Sequence, residues 1–191
     1  ILPATKYNTI IGISVTSDND QLTEEPYGKY SVPDYFKDTQ NLKMAVNGVY
    51  ESFSNINTYG QNWMVYDTDT DISHVQGAGI GHVARDLGHY NAYAEHSWLQ
   101  DSWTTYYKGI ARANTMLENK DLVKVTSAND TVAFKQLVGE TRCLRAMAHF
   151  DLTLLWGDMP LKVTSTKPGD NLYMKRTDRA LVYDQIIKDF E

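Results

Sequence analysis

The chain contains 191 residues, carries a formal net charge of −6 at pH 7, and is 42% hydrophobic. This length suits one domain that folds alone, while the hydrophobic content argues against intrinsic disorder. Basic residues are mixed with acidic ones and form no cluster, so we expect no nucleic-acid partner.

Residues 1–33 are predicted to form an irregular arm, because turn-favouring residues punctuate them. The first helix is expected to begin near Asp38 or Thr39, since either side chain can cap the free backbone N–H groups. Apolar residues then recur at helical spacing and predict one buried stripe, made of Leu42, Val46, Val49, Tyr50 and Phe53. Gly48 lies inside this pattern and suggests a close contact with another helix, because glycine there costs roughly 1 kcal/mol relative to alanine.

The segment 58–96 has no long periodic pattern and is rich in glycine, histidine and aromatic residues. A long structured segment of this kind is usually functional rather than a simple connection. It is therefore where we expect ligand-contacting residues.

Three further helices are predicted after this segment. The second runs from about Ser97 to Asn119, and the third begins between Ser127 and Asp130. The third ends at Gly157, which can adopt a left-handed conformation, and a proline three residues later prevents the helix from resuming. After a polar connection over 158–176, a fourth helix opens at Thr177 and is cut off in mid-pattern, so the chain is expected to be truncated.

Metal, nucleotide and catalytic motifs find little support. Asp67, Asp69 and Asp71 open like a calcium loop, but Ile72 stands where the EF-hand needs glycine, so only a looser calcium site stays open. The glycines of residues 77–81 lack the strand, helix and lysine of a phosphate-binding loop. Four histidines recur seven or eight residues apart, which is not the spacing of a zinc pair on a helix. We therefore expect no cofactor.

The single cysteine, Cys143, excludes an intramolecular disulfide and a four-cysteine metal site. Its place within a predicted helix favours a buried apolar role over a nucleophilic one. No Gly-x-Ser-x-Gly motif is present, and two of the 24 acidic residues cannot be chosen as a glycosidase pair from sequence. The protein is expected not to be an enzyme.

Several segments resemble the SusD/RagB family, in the order found in that family. Residues 34–50 resemble its first helix, Thr70–Ile72 a stretch of the following loop, and residues 103–114 the helix with Trp103, Tyr106, Ile110 and an Arg-Ala-Asn end. The most specific match is a helix signature whose matching residues are Glu140, Arg142, Leu144, Arg145, Ala146, Phe150, Asp151, Leu152, Gly157, Asp158, Pro160 and Leu161. Val182, Tyr183 and Asp184 add a weaker match.

The resemblance implies a mainly α fold, SusD-like, with tetratricopeptide-like helix pairs, of which residues 34–191 are the N-terminal portion. The signature helix would then be structural. Its residues Glu140, Arg142, Arg145 and Asp151 are expected to form charged pairs with neighbouring turns or helices, and His149 to be structural.

The resemblance also implies a function. SusD/RagB proteins are cell-surface lipoproteins of Bacteroidetes that bind nutrients, mostly glycans, at the extracellular face of the outer membrane. They deliver the ligand to a TonB-dependent transporter of the SusC type. No run of about 18 apolar residues exists, so contact with the membrane would depend on an N-terminal lipid on a cysteine absent from this chain.

Sugar recognition combines aromatic faces, which cover the C–H patch of a pyranose, with polar groups that bond its hydroxyls. Within the loop-rich segment we expect such residues to be Trp63, His74, Gln76, Arg85, His89, Tyr90 and Tyr93. The alternative is a helical-repeat interaction module that binds peptide or protein. Exposed tryptophan and tyrosine converging in one cleft would favour sugar, and a charged groove along helix faces would favour peptide.

Overall fold

α-Helices dominate the part of the chain that the computed structural model describes, which comprises residues 32–60, 67, 70–72 and 83–191. In chain order they are α1 (Val32–Tyr35), α2 (Thr39–Ser54), α3 (Val83–Gly88), α4 (Ser97–Asn119), α5 (Ala128–Trp156) and α6 (Arg179–Phe190). The prediction of a mainly α fold is confirmed. Most of the predicted irregular arm, residues 1–31, lies outside the described residues.

The helix ends follow local capping chemistry. Asp38 accepts a hydrogen bond from the backbone N–H of Asn41 at 2.8 Å and starts α2, and Ser127 does the same for α5 through the N–H of Asp130 at 3.1 Å. Asp178, whose carboxylate accepts from the N–H of Ala180, caps α6. The fourth predicted helix therefore begins two residues later than expected.

The core forms where four long helices meet. Helix α2 packs on α4, α5 packs on both, and α6 packs on α5. The larger group of fully buried side chains joins all four helices and includes Val49, Ile110, Leu152 and Val182. A second group under α1 and the start of α5 includes Phe36, Leu42 and Met116. None of the described helices is both long enough and apolar enough to cross a membrane.

Helices α2 and α4 approach each other closely at Gly109 rather than at Gly48. A Cβ built on Gly109 would lie 3.1 Å from the Cβ of Ser52, whereas a Cβ on Gly48 would meet nothing within 4 Å. The sequence-based interpretation of Gly48 is therefore wrong. Its carbonyl has another role, because it accepts a hydrogen bond from Arg112 at 2.7 Å.

Two further predictions about burial are wrong, both on the surface between α2 and α5. Tyr50 is 43% exposed, and its hydroxyl lies 3.4 Å from a carboxylate oxygen of Glu140. Cys143 is also exposed, although the helix around it was expected to bury it. Both residues lie at the edge of an amphipathic stripe, where periodicity alone does not decide burial.

The charged residues of the signature helix behave in different ways. Arg145 forms a nearly buried ion pair with Asp189 of α6, as expected for a charged pair between helices. Glu140 and Asp151 instead accept hydrogen bonds from tyrosine hydroxyls, so the prediction is wrong for these two. Arg142 is exposed.

Candidate functional site

A cavity of about 460 Å³ opens at the junction of the segment after α3, the start of α4 and the end of α5. Its size falls within the range of small-ligand sites. We call it the aromatic cleft, and its lining residues are Ala92, Tyr93, Ala94, Leu99, Gln100, Trp103, Trp156, Asp158 and Arg176.

The aromatic side chains that line the cleft are Tyr93, Trp103 and Trp156. The rings of Trp103 and Trp156 lie 5.2 Å apart in an edge-to-face arrangement, and Tyr107 supports Trp103 from behind at 4.9 Å. Tyr93 is 43% exposed, and the centroid of its ring lies 5.3 Å from that of the His96 ring. The tryptophans are therefore held by neighbouring rings, while the tyrosine is more accessible to a ligand.

The segment that presents Tyr93 is anchored at both ends. His96 is fully buried, and its Nε2 atom lies 2.9 Å from the backbone oxygen of Val83, the first residue of α3. The backbone N–H of His96 donates to the carbonyl of Tyr93 at 3.0 Å. Residues 83–96 are thus closed into a loop whose end meets the first turn of α4.

At the end of α5, Gly157 stands between Trp156 and Asp158 in the chain. Gly157 has φ of 70° and donates its N–H to the carbonyl of Thr153 at 2.9 Å, which ends the helix and turns the chain. The hydroxyl of Tyr107 donates to the carbonyl of Pro160 at 2.7 Å and holds the turned segment against α4. Burial raises the pKa of Tyr107, so this hydroxyl keeps its proton and remains a donor.

The polar part of the aromatic cleft is fixed by contacts across the connection 158–176. The N–H of Thr177 donates to the carbonyl of Met159 at 3.0 Å in an isolated antiparallel bridge, which brings Arg176 beside the segment that contains Asp158. Asp158 accepts the backbone N–H of Arg179 at 3.2 Å and pairs with its guanidinium at 3.6 Å. Gln100, on the first turn of α4, adds an exposed amide.

The residues predicted from sequence do not all meet at this site. Tyr93 lines the aromatic cleft, whereas Trp63, His74 and Gln76 lie outside the described residues. The Nε atom of Arg85 donates a hydrogen bond to Nε2 of His89 at 3.3 Å. Tyr90 is 74% exposed and has a φ of 58°. These three are not among the residues that line the cavity.

Five residues that give the lining its aromatic and polar character were not predicted as site residues, namely Gln100, Trp103, Trp156, Asp158 and Arg176. The two tryptophans lie in predicted helices rather than in the loop-rich segment, and both are only partly buried. One signal could have indicated this. Trp103 is near the start of one helix and Trp156 is the last residue of another, and helix ends are where an apolar stripe runs out into a loop.

A second cavity, of about 520 Å³, lies between α2 and α5, and its lining is more apolar. Among the described residues Glu140 is its one charged residue, beside Tyr50, Phe53, Tyr59, Gly139, Cys143, Leu144 and Met147. Near it Asp151 is buried and accepts a hydrogen bond from Tyr59 at 2.9 Å, and burial raises its pKa. With few polar groups to bond hydroxyls, this cavity suits a sugar less well than the aromatic cleft.

Within the described residues, neither cavity has the geometry of a hydrolase or metal site. Each is lined by a single carboxylate, whereas a glycosidase needs two at catalytic separation. No group of three potential metal-binding side chains occurs among these residues. The possible calcium loop lies in a segment of which only Asp67 and residues 70–72 are described.

Comparison with known proteins identifies relatives along most of the chain. The family model SusD-like, described as starch-binding and associating with the outer membrane, matches residues 15–191. The SusD-like protein P25 of Formosa agariphila is 25% identical over 93% of this chain, and the SusD-like protein P2 of the same organism is 22% identical over 96%. The chain spans about a third of the length of these curated relatives, 34% and 35% respectively.

Solved structures share the fold. A SusD homologue from Bacteroides thetaiotaomicron is 25% identical, superposes with a TM-score of 0.72, and is similar over 83% of this chain and 30% of its own. A laminarin-binding SusD-like protein, 20% identical, superposes with a TM-score of 0.71 over 81% of this chain and 33% of its own. The helices described above therefore have the arrangement found in one part of these larger proteins.

Proposed function

The chain belongs to the SusD-like family, described as starch-binding and associating with the outer membrane, and from this premise we propose that it binds glycans without enzymatic activity. The ligand is an oligosaccharide or a segment of polysaccharide. It is captured in the aromatic cleft and released unchanged.

The observation that carries this proposal is the convergence of Tyr93, Trp103 and Trp156 with polar side chains in one cleft. An aromatic face covers the C–H patch of a pyranose, and amide, carboxylate and guanidinium groups bond its hydroxyls. Gln100, Asp158 and Arg176 supply those three kinds of group within the same cavity. A charged groove along helix faces, which would favour peptide, is not what the lining of this cavity offers.

The cellular role follows from the family rather than from the site. The protein would be displayed at the extracellular face of the outer membrane through an N-terminal lipid and would deliver glycan to a SusC-like TonB-dependent transporter. Metabolic labelling of the full-length protein with palmitate in its host tests the lipid, and copurification with the transporter tests the partner. A protein that takes up no palmitate would contradict surface anchoring by this route.

The loop residues predicted from sequence have a secondary place in the proposal. Arg85, His89 and Tyr90 lie outside the lining of the aromatic cleft, so they contact ligand only if a longer chain extends across the loop. Trp63, His74 and Gln76 stay predictions. Single alanine variants of these six residues are expected to weaken glycan binding less than a change of Tyr93.

The proposal is tested by calorimetric titration of the full-length protein with neutral and charged oligosaccharides and with peptides. We expect saturable glycan binding that Tyr93→Ala weakens about fivefold, because loss of one stacking ring costs roughly 1 kcal/mol. Tyr93 is preferred to the tryptophans because its ring is more exposed and supports less of the core. Tyr173→Ala is the matched control, since this tyrosine is 92% exposed and does not line the cleft.

Two outcomes of the titration would contradict the proposal. Binding of peptides alone would favour the helical-repeat interaction module. Glycan binding that Tyr93→Ala and Tyr173→Ala leave equally unchanged would move the site away from the aromatic cleft.

A further inference from the structure

Resting on the proposed glycan-binding function, we propose that Arg176 makes the aromatic cleft selective for anionic sugars, meaning sugars that bear a carboxylate or a sulfate ester. The guanidinium would bond the anionic group while the aromatic side chains cover the ring.

Among the described residues, two charged side chains line the aromatic cleft, Asp158 and Arg176. The carboxylate of Asp158 already accepts the backbone N–H of Arg179 at 3.2 Å and pairs with the Arg179 guanidinium at 3.6 Å. Its negative charge is therefore balanced by a residue outside the lining. Arg179 and Asp158 together contribute no net charge to the cavity.

Arg176 differs from Asp158 because its charge is not balanced. Within the described residues its guanidinium forms neither an ion pair nor a hydrogen bond, and its side chain is exposed at the cavity. The net charge of the lining and its immediate partners is therefore positive. A ligand that supplies a negative group would complete this arrangement.

The backbone beside Arg176 is held in place. The next residue, Thr177, donates its N–H to the carbonyl of Met159 at 3.0 Å and accepts the N–H of Leu161 on its side-chain oxygen at 3.3 Å. Met159 is fully buried, so the bridge is anchored in the core. Because this backbone is fixed, less conformational entropy is lost when the Arg176 guanidinium binds an anionic group of a sugar. A guanidinium on a free loop would lose more.

Arginine is suited to this role by its chemistry. Its planar guanidinium donates two parallel hydrogen bonds to the oxygens of a carboxylate or sulfate, and charge-assisted bonds are about twice as strong as neutral ones. The net charge of −6 repels an anionic sugar only weakly. Physiological salt screens the interaction between exposed charges that lie more than about 8 Å apart. The local charge of the cleft therefore decides the preference.

The test is titration of the full-length protein at physiological salt with three probes of equal length. These are an oligosaccharide of galacturonic acid, a sulfated galactan oligosaccharide and a neutral galactan oligosaccharide. We expect at least one anionic probe to bind about tenfold or more tightly than the neutral one. The carboxylate and sulfate probes show which of the two groups the site accepts.

Variants assign the preference to Arg176. Arg176→Gln is expected to weaken binding of the preferred anionic probe by about tenfold to a hundredfold while changing the neutral probe's affinity by less than about threefold. Arg176→Lys keeps the charge but loses the bidentate geometry. Its affinity for the preferred anionic probe should therefore lie between that of the unchanged protein and that of Arg176→Gln. Lys175→Gln is the matched control, because it removes an adjacent exposed cation that does not line the cavity. Unchanged circular dichroism confirms that each variant is folded.

The outcomes separate this inference from the proposal on which it rests. Equal or tighter binding of the neutral probe, with loss in Tyr93→Ala, would overturn the anionic selectivity and leave glycan capture intact. An anionic preference that Lys175→Gln reduces as much as Arg176→Gln would also overturn it, because general charge would then be responsible. Failure of all three probes, together with peptide binding, would overturn both.

Discussion

Gly157 connects the aromatic and polar sides of the cleft at the scale of a single residue. Its φ of 70° and ψ of −125° lie in a region that side chains disfavour, although a Cβ there would meet nothing closer than the Arg179 guanidinium at 4.0 Å. The requirement for glycine is therefore conformational rather than a matter of space. The residue turns the chain directly after Trp156 and so determines where Asp158 lies.

We predict that Gly157→Ala lowers the free energy of unfolding by about 1–3 kcal/mol, since alanine would have to occupy a strained backbone conformation. Urea denaturation measures the change. Gly139→Ala is the control, because this glycine lies inside α5 with open space around it, and alanine there should stabilise the helix by up to about 1 kcal/mol. Equal effects of the two substitutions would contradict the conformational account.

His149 is a second residue whose environment has a measurable consequence. It is fully buried in α5, and burial lowers its pKa to about 4, with the nearby Arg145 charge acting in the same direction. In the part of the chain that the structure describes, neither ring nitrogen has a hydrogen bond of normal geometry, although the backbone carbonyls of Arg145 and Lys162 lie close enough to favour the proton slightly. Its predicted structural role is consistent with this burial.

The free energy of unfolding should fall as the pH is lowered from about 6.5 to about 4, because the unfolded chain binds more protons than the folded one in that window. A shift from 6.5 to about 4 corresponds to about 3 kcal/mol. Denaturation at several pH values measures the slope, and His149→Leu should flatten it. An identical slope in the variant would show that His149 does not titrate as its burial requires.

At the scale of elements, an ion pair joins α5 to α6 and also reaches the connection that carries the polar side of the cleft. Arg145 donates to both carboxylate oxygens of Asp189, at 2.8 and 2.6 Å, and to the side-chain oxygen of Asn114 at 2.8 Å. Asn114 in turn donates to the carbonyls of Lys162 and Thr164. The side chains of Arg145 and Asp189 are only 10% and 3% exposed, so their charges depend on each other.

We predict that Arg145→Met lowers the free energy of unfolding by about 3–5 kcal/mol, because it leaves the Asp189 carboxylate buried without its partner. Combining it with Asp189→Leu should recover much of the loss, since no unpaired charge then remains. A double-mutant cycle by urea denaturation measures the coupling. Additive losses in the double variant would be the opposite of what a coupled buried pair requires.

The helices could be predicted from sequence because the forces that define them are local. Asp38, Ser127 and Gly157 act on backbone groups within four residues, and the apolar spacing of α2, α4 and α5 follows from one helical period. Burial at the edge of a stripe could not be predicted, since it depends on what packs there. Leu181 and Ile187 are both 56% exposed, although they share a helix with the buried Val182 and Ile186.

At the scale of the whole molecule, the aromatic cleft brings together segments that are distant in the chain. Tyr93 and Trp103 precede Trp156 by more than fifty residues, and Arg176 lies twenty residues further on. The residue types in the segment 58–96 indicated sugar-binding groups there. They could not indicate that the start of α4 and the end of α5 would lie beside Tyr93. Of the four predicted site residues that the structure describes, Tyr93 lines this cleft, because it lies closest in the chain to the start of α4.

The most direct test of glycan capture at the aromatic cleft is a crystal structure of the full-length protein with an oligosaccharide that it binds in solution. We expect a sugar ring against Tyr93, Trp103 or Trp156, with its hydroxyls bonded by side chains such as Gln100. A sugar bound elsewhere, with the aromatic cleft empty at saturating ligand, would mean that the cleft is not the site of glycan capture.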